Sequence, residues 1–351
     1  MRKKVLLILA VSIVLSMAGC SKDSKDMADS KSSQTTGANV TATVEPLKEL
    51  SGKTVLTVNG LDVSYDEIRL YLQSNKEEIE KTYGSDVWAM SVNAEGKTYE
   101  ETFKEALLDE IIYIKLVCSQ AEALGITLSE DELLDVDEYT ADFLSSFDEE
   151  KMKYYQVDQE IVRQIYKDNM LSNKVFESLT LNVDTQVTDE EARQAVYQYI
   201  LVGKYGYDET GNRYDYTEEQ LANAKARAEE LYTQALESTN FYDFAKANTD
   251  DEDEVEIIVG MGDMKTEIEK VTRYMKEGEI SPVIDTEDGY FIFYCKEEMN
   301  QEETDAKKEE IIRERQQAAF DQKYKIWDDA KEVNINHKVW DEISLGSDIV
   351  Q

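Results

Sequence analysis

Histidine is almost missing from this chain: His337 is the only one in 351 residues. A Ser/His/Asp arrangement therefore has at most one imidazole to draw on, and none with the expected spacing is present. Cysteine is nearly as scarce. Cys20, Cys118 and Cys295 are the three, and neither they nor His337 show the spacing of a metal site. Cys118 and Cys295 each sit in an apolar run and read as small buried hydrophobes. A disulfide between them stays open as an alternative. Positive charge is also short, with 38 Lys and Arg against 75 Asp and Glu and a formal net charge of −37. Such a surface repels phosphate backbones, so no nucleic-acid partner is expected. No apolar run reaches the ~18 residues a spanning helix needs. Phosphate-cradling glycine loops, dinucleotide fingerprints and internal repeats are absent too, and no cofactor is expected.

What is present begins with a leader. Met1 to Lys4 is short and basic, Val5 to Leu15 is apolar apart from Ser12, and Ser16-Met17-Ala18-Gly19-Cys20 follows. That order is a signal peptide. The small residues before Cys20 resemble a bacterial lipobox, which implies lipidation of Cys20 and a lipid-anchored position on the extracytoplasmic face of the cell membrane. An ordinary secretory peptide cut near Ala18 is the alternative. Ser21 to Pro46 has almost nothing apolar to bury and reads as a tether with a mean reach of roughly 25–30 Å.

The folded part opens with TVLTVNGLDV at Thr54–Val63, a hairpin signal around Asn59-Gly60. Ser64 with Glu67 forms an expected capping box for a helix bearing Ile68, Tyr71, Leu72 and Ile79. A longer helix is expected over about 99–124, with Phe103, Leu107, Ile111, Ile114 and Val117 on its apolar stripe and Gly125 ending it. Ser129 with Glu132 opens another helix, and a further one is expected over 157–179. A strand is expected at Val196–Val202, a polar loop at Asp208–Tyr216, and a helix over 217–238 opened by Thr217 and Gln220. The acidic run 250–254 lacks the spacing and central glycine of an EF-hand loop, and reads as solvated. Glu267 to Cys295 then reads as helix to Gly278, turn, strand, turn, strand, with Tyr290–Tyr294 suited to burial on both faces. Beyond Met299 the chain turns helical through Trp327, and Val333–Ile335 reads as a short strand.

Lys276 to Pro282 (KEGEISP) and Gly289 to Ile292 (GYFI) resemble the end of a parvulin-type, PpiC-like peptidyl-prolyl isomerase domain. The V-N-G hairpin, Ala121–Leu133 (AEALGITLSEDEL) and Val187–Glu191 (VTDEE), behind a lipobox, resemble SurA/PrsA-like foldase lipoproteins. The resemblance implies an α+β fold: a mostly helical SurA-like chaperone module interrupted by a parvulin-like domain, itself a small antiparallel sheet with packed helices. It divides the chain into a signal peptide at 1–19, an anchored linker at 20–52, a chaperone module at 53–188, a parvulin-like domain at 189–299, and a helix and strand at 300–345 returning to the module.

The implied activity is chaperone or foldase action on unfolded or exported polypeptides, with the membrane reached through Cys20; oligomeric state is left open. The family's two pocket histidines fall at Tyr199 and Phe291, and neither side chain can donate and accept as a neutral imidazole does. Asp250 or Asp251 falls where the family often has Cys or Asp. Ile268 falls at the proline-gripping Phe, and the shortened loop after Gly262 leads one to expect that the gripping Met is gone. The expected function is thus a chaperone with a degenerate isomerase domain. A working isomerase with an unusual pocket and a scaffolding lipoprotein without clients stay as alternatives.

Overall fold

The computed structural model describes residues 50–345 except 148, 150, 151, 153–155, 253 and 254. The leader, Cys20 and the tether lie outside the described residues. Among those described, no helix is long and apolar enough to cross a membrane. The fold is α+β, and the described residues divide into two compact units, one of residues 50–181 with 320–345 and the other of residues 182–319.

The first unit is built on a hairpin, β1 (Thr54–Val58) and β2 (Leu61–Ser64). Asn59 and Gly60 both take positive φ, 48° and 84°, which is what a two-residue turn matching the strand twist requires. The third strand of this sheet comes from the far end of the chain, where β9 (Val333–Ile335) pairs antiparallel with β1. Asn59 fixes that meeting, accepting from the Glu332 amide at 2.8 Å through its side chain and donating its own amide to Glu332 at 2.9 Å.

Helices α1 (Tyr65–Tyr83), α2 (Tyr99–Ala121), α3 (Glu130–Ser145) and α4 (Gln159–Thr180) follow. Complete capping boxes start α2 at Thr98/Glu101 and α3 at Ser129/Glu132. The one expected at Ser64 is only half formed. Ser64 accepts from the Glu67 amide, but the Glu67 carboxylate turns inward to Lys115 at 2.9 Å. The apolar stripes of these helices meet in one core containing Ile68, Leu72, Phe103, Leu107, Ile111 and Ile165, with Trp88 edge-on to Phe103 at 5.5 Å. A smaller cluster joins Tyr113, Val117 and Val175 to Phe320, Tyr324 and Trp327. The last three lie on α8 (Gln301–Ala330). Cys118 is free and buried, its thiol donating to the Asp168 carbonyl at 3.2 Å, and burial pushes its pKa up to about 12.

The second unit is a four-stranded antiparallel sheet in the order β6–β3–β8–β7, with β3 at Ala195–Gly203, β6 at Glu256–Val259, β7 at Ile284–Asp285 and β8 at Gly289–Glu297. All nine residues of β3 are buried. One face is covered by α5 (Glu218–Glu237) and α6 (Phe241–Asn248), whose Ala224, Ala228, Leu231 and Phe241 pack on Ile200, Val202 and Ile292. The opposite face carries Tyr197, Tyr199, Leu201 and Phe293 and is partly covered by Ile268 of α7 (Thr266–Thr272) and by Met275.

Helix α7 is shorter than the apolar spacing suggests, and Gly278, at φ 85°, then turns the chain so that its amide donates to the Cys295 carbonyl. Ser281 completes the return, its hydroxyl accepting from the Phe293 amide at 2.9 Å. The segment expected to be a polar loop at 208–216 is largely a hairpin, β4 (Tyr205–Tyr207) with β5 (Arg213–Asp215). Asp208 holds its turn by accepting from the amides of Thr210 and Asn212 and from the Thr210 hydroxyl, and these bonds bring its pKa down to about 2. Cys295 is free and buried in this unit, with its pKa pushed up by burial to about 11.

Candidate active-site cleft

Side chains alternate across a strand, so Tyr197, Tyr199 and Leu201 of β3 share one face. In the antiparallel register Tyr199 lies opposite Phe293, and Leu201 opposite Phe291. Tyr199 and Phe291 are therefore diagonal neighbours on one face, with ring centroids 6.1 Å apart. Phe293 sits with both: its ring stacks on Tyr199 at 5.7 Å and on Phe291 at 5.9 Å. Three aromatic rings thus form the floor of a cleft of about 190 Å³, walled by Ile257, Met264 and Ile268 and rimmed by Lys265.

The polar groups near this floor are engaged. The Tyr199 hydroxyl donates to Asp251 Oδ2 at 2.7 Å, and Lys265 pairs with Asp288. Asp251 is brought there because the preceding residues dock on β3: Thr249 Oγ1 accepts from the Leu201 amide at 3.0 Å, and the Asp250 amide donates to the Leu201 carbonyl at 2.8 Å. Asp250 itself points elsewhere. Its carboxylate accepts from the Gly203 amide at 3.0 Å and from Arg227 Nη1 at 2.7 and 2.9 Å. Of the five positions singled out in the sequence, Tyr199, Asp251, Ile268 and Phe291 come together, while Asp250 ties the end of β3 to α5.

Met264, four residues before Ile268, also lines the cleft, so a methionine borders this site although the shortened loop led one to expect none. Phe293 and Ile257 were overlooked as well, although Phe293 follows Phe291 by two residues and so had to share its face. The cleft offers an apolar seat to a small ring and a hydroxyl–carboxylate pair at its edge. Rotation about an amide needs no nucleophile, only a site that desolvates and twists it against a barrier of ~18–20 kcal/mol.

Two family models match the chain, the SurA-like N-terminal domain over residues 2–155 and the PPIC-type PPIASE domain over residues 209–297. The chain is SurA/PrsA-like and carries a parvulin-type domain. The isomerase match begins after Tyr199 and contains Asp250, Asp251, Ile268 and Phe291. The foldase protein PrsA of Caldanaerobacter subterraneus subsp. tengcongensis is 26% identical over 265 residues, 73% of this chain and 77% of that protein. Among solved structures, PrsA from Bacillus cereus aligns at TM-score 0.32 with 14% identity, covering 86% of this chain and 96% of that one. PrsA from Bacillus subtilis aligns at TM-score 0.25 with 17% identity over 75% and 90%. A SurA-like chaperone structure from Campylobacter jejuni aligns at TM-score 0.30 with 13% identity over 80% and 98%.

Proposed function

We propose that this SurA/PrsA-like chain is a lipid-anchored extracytoplasmic foldase that acts on exported polypeptides mainly by holding them, with a parvulin-type domain of weakened catalysis. The observation that carries this reading is the aromatic floor of the cleft. Tyr199, Phe291 and Phe293 stack where the family resemblance calls for a hydrogen-bonded imidazole pair. Stacked rings supply an apolar surface without the paired donor and acceptor of that imidazole pair. The lipobox-like Ser16–Cys20 behind a short apolar leader supports the anchor and the location. The relative in Caldanaerobacter is called a foldase, which agrees with the reading. On this proposal residues 53–188 and 300–345 form the chaperone module and 189–299 the inserted domain.

The test pairs two assays on the whole processed chain. Suppression of aggregation of a chemically unfolded protein is expected at near-equimolar chain, together with slow or undetectable isomerisation of a short proline peptide. A turnover within tenfold of an ordinary parvulin would promote the isomerase reading. No suppression and no turnover would promote the scaffold.

A further inference from the structure

We propose that the outer edge of β6 is a docking strand, to which an extended, neutral-to-basic segment of a non-native polypeptide adds as a fifth strand. This rests on the holding activity proposed above and assigns it a surface. Among the described residues β6 ends the sheet, with β3 as its one strand neighbour. None of its four residues is buried, in contrast to all nine of β3, and Ile258 is 49% exposed.

The register decides which backbone groups are on offer. Ala195 pairs with Val259 and Tyr197 with Ile257, and the Tyr199 amide donates to the Val255 carbonyl at 2.9 Å. Residues 255, 257 and 259 therefore turn their N–H and C=O toward β3, and Glu256 and Ile258 turn theirs outward. A row of outward amides and carbonyls selects an extended backbone, and alternate side chains then supply the selectivity.

Those side chains have places to go. Ile257 lines the cleft over Tyr199, and Val259 lines a second cleft with Ala195, Tyr197 and Met261, while Met264 borders both. A strand laid on β6 puts alternate residues ~6.6–7 Å apart on this face, one at each cleft mouth. Met261, 53% exposed, extends the apolar border.

Charge settles the kind of occupant. Asp250 and Glu256 are paired with Arg227 and Lys296 and Asp251 accepts from Tyr199, so the field that bears on an incoming strand is that of the whole chain, at −37. A second copy would bring like charge against like. A neutral or basic segment meets no such opposition, and the four-residue length keeps the edge from templating pairing between copies of this protein.

The probe is a fluorescent nine-residue peptide of alternating valine and threonine with a lysine at each end, titrated against the whole chain by anisotropy. Ile258→Pro removes one outward N–H and leaves the β3 ladder intact, so affinity is expected to fall at least tenfold with the circular dichroism unchanged. Two N-methylated peptides, blocked on one or the other set of alternate amides, are expected to differ at least tenfold on the unaltered chain. That comparison decides the matter if Ile258→Pro fails to fold. Equal binding of the two methylated peptides, or binding within twofold by folded Ile258→Pro, would overturn the docking strand. So would a self-association in ultracentrifugation that Ile258→Pro abolishes, which would make a second copy the occupant. If the edge fails while the unaltered chain still suppresses aggregation, holding stands and its surface lies elsewhere; if suppression itself is absent, it is the holding reading that falls.

Discussion

Lys115 places one cation between two carboxylates in the interior of the first unit, with Glu67 at 2.9 Å and Asp168 at 2.6 Å. Gln164 donates to the other Asp168 oxygen at 2.6 Å, so Asp168 is the better-satisfied partner. Burial raises the pKa of Glu67, Lys115 opposes this, and the nearby Asp168 adds to the rise. Burial pulls the Lys115 ammonium down, but Glu67 and Asp168 more than offset it and the net shift is upward. Glu67, raised above its unfolded value of ~4.3, contributes stability that is full at acid pH and is lost as pH rises through its folded value. Lys115 contributes below its unfolded value of ~10.4 and loses that contribution only on the alkaline side. Urea melts of the native chain and of Glu67→Gln, compared across pH, are therefore expected to differ by a contribution that declines above about pH 4–5, set against the opposite contributions of carboxylates held low such as Asp208. Glu67→Gln should cost little near neutrality. Lys115→Met leaves two carboxylates buried without their cation and is expected to cost roughly 3–5 kcal/mol.

The cleft is argued at the same scale. On the proposed reading Tyr199 and Phe291 stand where the family has its imidazoles and Ile268 where it has an aromatic, while Met264 also lines the cleft. If the imidazole pair and the aromatic grip are each worth ~1–2 kcal/mol in the transition state, the combined loss is roughly 2–4 kcal/mol, or about 30- to 10³-fold in turnover. A coupled assay on a proline peptide checks this, and a rate close to that of an ordinary parvulin contradicts it.

Among the elements, α8 contributes Phe320 to the interior of the first unit. Phe320 is fully buried between Tyr113 and Phe176, with centroids at 6.3 and 5.1 Å, and Trp327 meets it edge-on at 6.1 Å. Phe320→Ala is expected to cost about 3–5 kcal/mol, read as a lower urea midpoint with an unchanged slope. The helices were legible in the sequence because their capping residues and apolar spacing are local signals: Ser129 with Glu132, and Thr217 with Gln220, do in the fold what their spacing implies. The Glu67 cap failed because a tertiary partner, Lys115, outcompeted the local amide. The β4–β5 hairpin was passed over although Tyr205 and Tyr207, and Tyr214 and Tyr216, alternate on either side of a turn containing Gly211, because the charged residues between them read as a loop. In the cleft, the face shared by Tyr199 and Phe291 follows from strand period, whereas Met264 could not be placed from a loop length. The Asp250/Asp251 choice depended on a half-turn of backbone that only the docking of Thr249 on β3 decides.

At the scale of the whole molecule, the acidic surface and the leader bear on each other. A chain of −37 has no general electrostatic attraction to anionic lipid, so membrane association on the proposed reading depends on a covalent anchor. One acyl chain gives marginal, reversible binding at ~0.8 kcal/mol per buried CH₂, and stable anchoring takes two signals or more. Multiple acylation at Cys20 is the source that needs no basic patch. Fractionation of cells expressing the full chain is therefore expected to place it with the membrane and to keep it there through a high-salt wash, since a hydrophobic anchor is not screened. Cys20→Ala should move it to the soluble extracytoplasmic fraction or leave it unprocessed. Mass spectrometry of the mature protein should find lipid-modified Cys20 at its N-terminus. An unmodified N-terminus at Ser21 or beyond, or release of the native chain by salt, would remove the anchor and with it the membrane-proximal site of action.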